Sequence, residues 1–92
     1  MIQSFRHKGL ERFYSQGSKS GILPSHAGRL EEILATLEAA TAPQDLGLPG
    51  LRLHALSGNR QGYWAVRVSG AWRVIFRFEE HHVCEVDYLQ YH

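Results

Sequence analysis

Apolar residues in the first half of the chain recur at helical spacing. Leu30, Ile33, Leu34 and Leu37 follow i, i+3, i+4, i+7, the stripe of one buried helix face, and predict a helix capped by Ser25 after Pro24 and running to about Ala40. An earlier helix is predicted from His7 to Gln16, with Leu10, Phe13 and Tyr14 at helical spacing and Gly17 as its stop. Ile2 to Phe5 suit a short first strand. Pro43, Gly47, Pro49 and Gly50 mark a connector with room for one short helical turn. From Leu51 the period becomes two, and strands fit residues 51–56, 63–69, 71–79 and 82–89, separated by a glycine-containing loop, a Ser69-Gly70 turn and a Glu80-His81 turn. The expected fold is α+β, with two N-terminal helices packed on an antiparallel β-sheet.

Alternation then divides each strand between two faces. Trp72, Val74, Phe76 and Phe78 oppose Arg73, Ile75 and Arg77; Trp64, Val66 and Val68 oppose Tyr63, Ala65 and Arg67; Leu51, Leu53 and Ala55 oppose Arg52, His54 and Leu56. Strands paired in chain order would gather Arg52, His54, Tyr63, Arg67, Arg73 and Arg77 on one face. Both tryptophans share the apolar register and are expected in the core, which leaves Tyr63 and Tyr91 as the stacking candidates.

Length and composition narrow the class. A chain of 92 residues with 43% hydrophobic and 21% charged residues fits one domain over residues 1–92 and excludes a multidomain enzyme. No apolar run approaches the ~20 residues of a membrane helix, and Met1 to His7 lack a signal-peptide apolar region, so a cytoplasmic protein is expected. Cys84 is the single cysteine, which excludes an internal disulfide and a cysteine-rich zinc site. The net charge of +1 hides a sorting of signs: from 46 to 78 every charged residue is an arginine (Arg52, Arg60, Arg67, Arg73, Arg77), whereas Glu79, Glu80, Glu85 and Asp87 fill the last stretch without Lys or Arg.

Arginines interleaved with Tyr63, Trp64 and Trp72 are the composition of a phosphate-binding or RNA-binding surface, and equally of solvated strand faces. Guanidinium forks match phosphate oxygens and stabilise charge developing at a phosphodiester, while imidazole transfers protons near neutral pH. His54 and His92 with several arginines make a ribonuclease-like inventory in which the RNA 2′-hydroxyl is the nucleophile and neither metal nor cofactor is needed. Adjacent His81 and His82 point to opposite faces and offer no metal-ligand spacing. Taken singly, a strand histidine is more often a hydrogen-bonded surface or core residue, and Arg12 and Arg29 are expected to be solvated.

Over nearly its whole length the sequence resembles the HigB toxins of the RelE/ParE-like superfamily. The matching stretches are Ile2 to Leu10, Arg52 to Arg60, Gly62-Tyr63-Trp64, Trp72 to Phe78, and the ending Asp87-Tyr88-Leu89-Gln90-Tyr91-His92. The resemblance implies a RelE-like fold and a ribosome-dependent mRNA endonuclease that cuts message in the A site. Its implied partners are the ribosome, mRNA and a HigA-like helix-turn-helix antitoxin, with DNA reached only through the antitoxin complex. Carried over by position, His54, Arg73, Tyr91 and His92 would be catalytic, and Arg60 and Arg67 would hold ribosomal RNA or message; Arg52, Tyr63 and Arg77, read from the strand face alone, are expected to join them in binding RNA or ribosome. Three positions depart from the family pattern: Ser57 stands for a lysine, Ala71 for an asparagine, and Gln90 for an acidic residue. Gln90 cannot exchange a proton, so acid–base work would pass to His54 or His92. Two alternatives are a non-catalytic RNA- or ribosome-binding toxin and, ranked lower, a gyrase-directed toxin of the ParE kind.

Overall fold

The computed structural model describes residues 1–90, so Tyr91 and His92 lie outside the described residues. Helix α1 (Lys8–Gln16) starts one residue after His7, whose Nδ1 accepts the Leu10 N–H at 2.9 Å and so caps the first turn. It ends at Gly17, whose φ of 73° is the left-handed conformation that glycine adopts without steric cost. Beyond it the chain folds back so closely that a Cβ on Gly9 would stand 2.6 Å from the Gly21 carbonyl oxygen. Only glycine fits there.

Ser25 does not cap the second helix. Pro24–His26 instead form a 3-10 turn, and α2 (Ala27–Ala39) follows directly from it. The expected α2 stripe is buried, with Leu30, Ile33 and Leu37 fully enclosed and Leu34 nearly so. On α1, Leu10 and Phe13 are buried, but Tyr14 faces outward and its hydroxyl donates to the Glu38 carboxylate. The connector holds a 3-10 turn at Pro43–Leu46. Arg29, expected in solvent, reaches across to it and donates from Nη2 to the Gly50 carbonyl at 2.6 Å.

The sheet is a four-stranded antiparallel meander in the order β1 (His54–Ala55), β2 (Trp64–Ser69), β3 (Trp72–Glu79) and β4 (His82–Gln90). Strand β1 is much shorter than the predicted 51–56. Gly50 and Arg52 both have positive φ, 86° and 52°, which breaks the extended run, although the Leu51 carbonyl still accepts the Arg67 N–H at 2.7 Å. The N-terminal segment runs beside β4 as parallel bridges, Ile2 to Val83 and Phe5 to Val86, rather than as a full strand.

Alternation places the layers as expected. Val66, Val68, Val74, Phe76, Val83, Val86 and Tyr88 bury one sheet face against α1 and α2, and Trp64, Trp72 and Phe78 pack at its margins. Phe76 is fully enclosed, and truncating such a residue to alanine costs roughly 3–5 kcal/mol. The other face carries a small apolar floor of Leu56, Ala65 and Ile75, flanked by Tyr63 and Leu89.

Candidate nucleic-acid interface

Cross-strand register sets the outer face out in rows. One row runs His54, Ala65, Ile75, Asp87; the next holds Arg67, Arg73 and Leu89. Directly opposed residues share a face about 5 Å apart, so the Arg67 and Arg73 stems rise side by side with the apolar floor beside them. Two like charges in such a pair destabilise the sheet, and an anion bound between them removes that cost.

His54 is exposed at the end of the adjacent row, and its ring is fixed from below. Nδ1 lies 3.0 Å from the Arg52 carbonyl oxygen. A carbonyl only accepts, so Nδ1 carries the hydrogen and the Nε2 lone pair faces outward as the proton acceptor. The left-handed backbone of Arg52 accompanies this contact, the same feature that shortens β1. The Arg52 side chain is exposed, as is Arg60 in the 3-10 turn Gly58–Arg60 that follows.

Arg73 is braced at its own hairpin. Its Nη1 donates to the carbonyls of Gly70 at 2.6 Å and Trp72 at 3.0 Å, which holds one guanidinium edge and leaves the other for a ligand. Arg67 is in none of the ion pairs among the described residues. Arg77 differs. Its Nε donates to Glu85 and its Nη2 to Glu79 at 2.9 Å, so two carboxylates already neutralise it. Arg77, a candidate RNA-binding residue of this face, is thus engaged by two acids of its own chain. Arg77 in turn holds the Glu85 carboxyl below its usual range, with the Tyr63 hydroxyl contributing in the same direction.

Sequence reasoning missed Glu85 because β4 bulges there. The register shifts between Ile75 and Arg77, and Glu85 takes a positive φ of 55° that turns its carboxylate onto the arginine. A signal was present: core residues Val83 and Val86 stand three apart in a strand whose period is two. Tyr63 is half-buried against the apolar floor beside this ion-pair cluster. Ser57 and Gln90 are exposed, and Gln90 pairs with Trp72 at the last described position. An open groove of about 350 Å³ between the helices, lined by Phe13, Tyr14, Leu34, Ala35, Glu31 and Glu38, is on the opposite layer from the cations.

Residues 3–92 match the family described as RelE-like toxin of type II toxin-antitoxin system HigB. The chain belongs to the HigB-like toxin family. It is 35% identical over 92 residues to Endoribonuclease HigB of Proteus vulgaris, covering the whole of both chains, and 36% identical over 80 residues to Toxin HigB-1 of Vibrio cholerae, covering 85% of this chain and 84% of that one. Solved structures share the fold at low identity. The YoeB–YefM complex from Staphylococcus aureus aligns with TM-score 0.64 and 17% identity over 100% of this chain and 95% of that one. A YafQ mutant from E. coli aligns with TM-score 0.65 and 17% identity over 98% and 91%. The α+β architecture is thus the RelE-like one, and members of this family are the toxin halves of type II pairs.

Proposed function

We propose that this toxin is a ribosome-dependent endoribonuclease that cleaves message in the A site and thereby stops translation. The observation that carries the reading is the exposed His54 with its Nδ1 tied to the Arg52 carbonyl, beside the Arg67/Arg73 pair. In this mechanism His54 Nε2 removes the proton from an RNA 2′-hydroxyl, and the oxygen attacks the adjacent phosphorus. The O2′–P bond forms, the P–O5′ bond breaks, and His92 protonates the leaving oxygen, leaving a cyclic phosphate and a 5′-hydroxyl end. Arg73 meets the charge that develops on the phosphoryl oxygens, with Arg67 on the same or a neighbouring phosphate. Tyr91 stacks on the substrate, while Arg52 and Arg60 contact message or ribosomal RNA.

A site with so few reacting groups depends on a second macromolecule to orient its substrate, because positioning supplies much of the barrier reduction. Free RNA is accordingly a poor substrate. The protein acts in the cytoplasm and is held inactive by a helix-turn-helix antitoxin of the HigA kind, through which the pair reaches DNA.

Primer extension on a defined message in purified translating ribosomes tests this reading. New ends are expected only when ribosomes and toxin are both present, and His54→Ala should lower their rate by about 100-fold or more. Translational arrest without new ends would favour a non-catalytic ribosome binder; gyrase inhibition with normal translation would overturn both.

A further inference from the structure

On the helix side of the sheet, directly beneath the Arg73 hairpin, His26 and Tyr88 are hydrogen-bonded to each other although 62 residues separate them. His26 is 7% exposed and Tyr88 4%. His26 Nδ1 lies 2.7 Å from the Tyr88 hydroxyl oxygen, which also accepts the Leu23 N–H at 3.4 Å. The phenol hydrogen needs an acceptor in this buried place, and His26 Nδ1 supplies it. The two rings close a cluster with Trp72: Trp72 and Tyr88 lie 4.9 Å apart, and His26 meets both edge-on at 5.6 and 5.9 Å. His7, the cap of α1, adds a further edge contact with Tyr88 at 5.2 Å.

The place of this cluster along β4 gives it a purpose. The first part of β4 is paired on both sides, because the N-terminal segment bonds its outer edge through Val83 and Val86. That pairing stops at Val86. From Asp87 to Gln90 β3 is the only partner strand among the described residues, and a strand end with one unpaired edge frays readily. Tyr88 is the side chain that ties this end down. Its N–H is met by Asp87 Oδ1 at 2.9 Å, and its hydroxyl is held by His26 and Leu23. Trp72, under the same rings, lends its carbonyl to Arg73.

We propose that His26, acting through Tyr88, is a positioning residue that holds the end of β4 and the Arg73 hairpin in working register. The catalytic part of this proposal rests on the nuclease reading above. His26 touches no substrate and acts from behind the sheet.

Three variants of the full-length protein test it: His26→Phe, which keeps a ring and loses the acceptor; His26→Gln, which restores a side-chain oxygen; and the double His26→Phe/Tyr88→Phe, which removes both polar partners. Amide exchange is read at Leu89, whose N–H faces β3, against Val83 and Val86. His26→Phe should speed exchange at Leu89 by about tenfold and leave Val83 and Val86 unchanged. Unchanged exchange at the strand end, or equal acceleration along all of β4, overturns the proposal, and this holds whether or not the protein cleaves RNA. On ribosomes, His26→Phe should lower the single-turnover rate by about tenfold with ribosome affinity within about twofold of the parent. His26→Gln should recover most of the rate. In the double variant the melting temperature returns toward the parent while the rate stays low, because the buried donor is gone but so is the tie. A rate that rises with the melting temperature would make His26 merely structural. Failure of the parent itself to cleave would fall on the nuclease reading and leave the exchange result to decide the positioning role.

Discussion

Arg73 and Arg77 stand four positions apart on β3, on the same sheet face, and the fold treats them oppositely. Around Arg73 the neighbours are Arg67 across the strand and carbonyls that brace one edge of its guanidinium, so a positive site opens beside the apolar floor. Around Arg77 the neighbours are Glu79 and Glu85, and the charge is spent within the protein. The arginines are equivalent in type and in strand phase. What separates them is a pair of carboxylates that meets Arg77 and not Arg73: Glu79, on β3 itself, and Glu85, delivered by the bulge in β4. A cation is available to phosphate only when no carboxylate is paired with it, so a count of arginines on a face overstates its binding capacity.

Truncating each arginine in turn separates the two environments most clearly. Arg73→Ala should lower single-turnover cleavage on ribosomes by about 100- to 1,000-fold, the usual cost of removing a donor aimed at developing charge, while Arg77→Ala should change it by less than about threefold. Comparable losses for both would show that Arg77 reaches substrate despite its carboxylates. A smaller effect is expected for Arg67→Ala, which should weaken single-stranded RNA binding several-fold, roughly uniformly across sequences. Its dependence of log affinity on log salt should become shallower by about 0.7, the share of one phosphate contact.

Glu85→Gln moves the boundary between the two regions. It frees Arg77 in part, so RNA binding should tighten about two- to threefold and the salt dependence should steepen by up to about 0.7. The smallest effect concerns pH. Arg77 lowers the Glu85 carboxyl in the folded protein relative to the unfolded chain, where it sits near ~4.3. The stabilisation is therefore complete above that value and is lost as pH falls through the lower folded value. Thermal melts of Glu85→Gln across this acid range should show a shallower decline than the parent; parallel curves would mean the ion pair adds nothing to stability.

Much of this architecture is legible before folding. The Leu30 to Leu37 stripe, the period-two segments from Trp64 onward and the sorting of Arg67 and Arg73 away from Val66 and Val74 follow from side-chain periodicity, and the structure carries them through. Predictions fail where backbone conformation departs from the regular period. Arg52 in the left-handed region cuts β1 short while aiming its carbonyl at His54, and Pro24 turns the expected cap into a 3-10 turn that delivers His26 to the core.

Local pattern is enough to determine which residues face the helices and which face outward, because a helix or strand repeats its geometry at every residue and burial follows that repeat. It is not enough to determine which outward residue meets which. The Arg77–Glu85 pair depends on a bulge that breaks the repeat, and the His26–Tyr88 bond joins a turn before α2 to the last strand. Such contacts are set by how separate elements pack, and their energies are known only once both partners lose water in the same place.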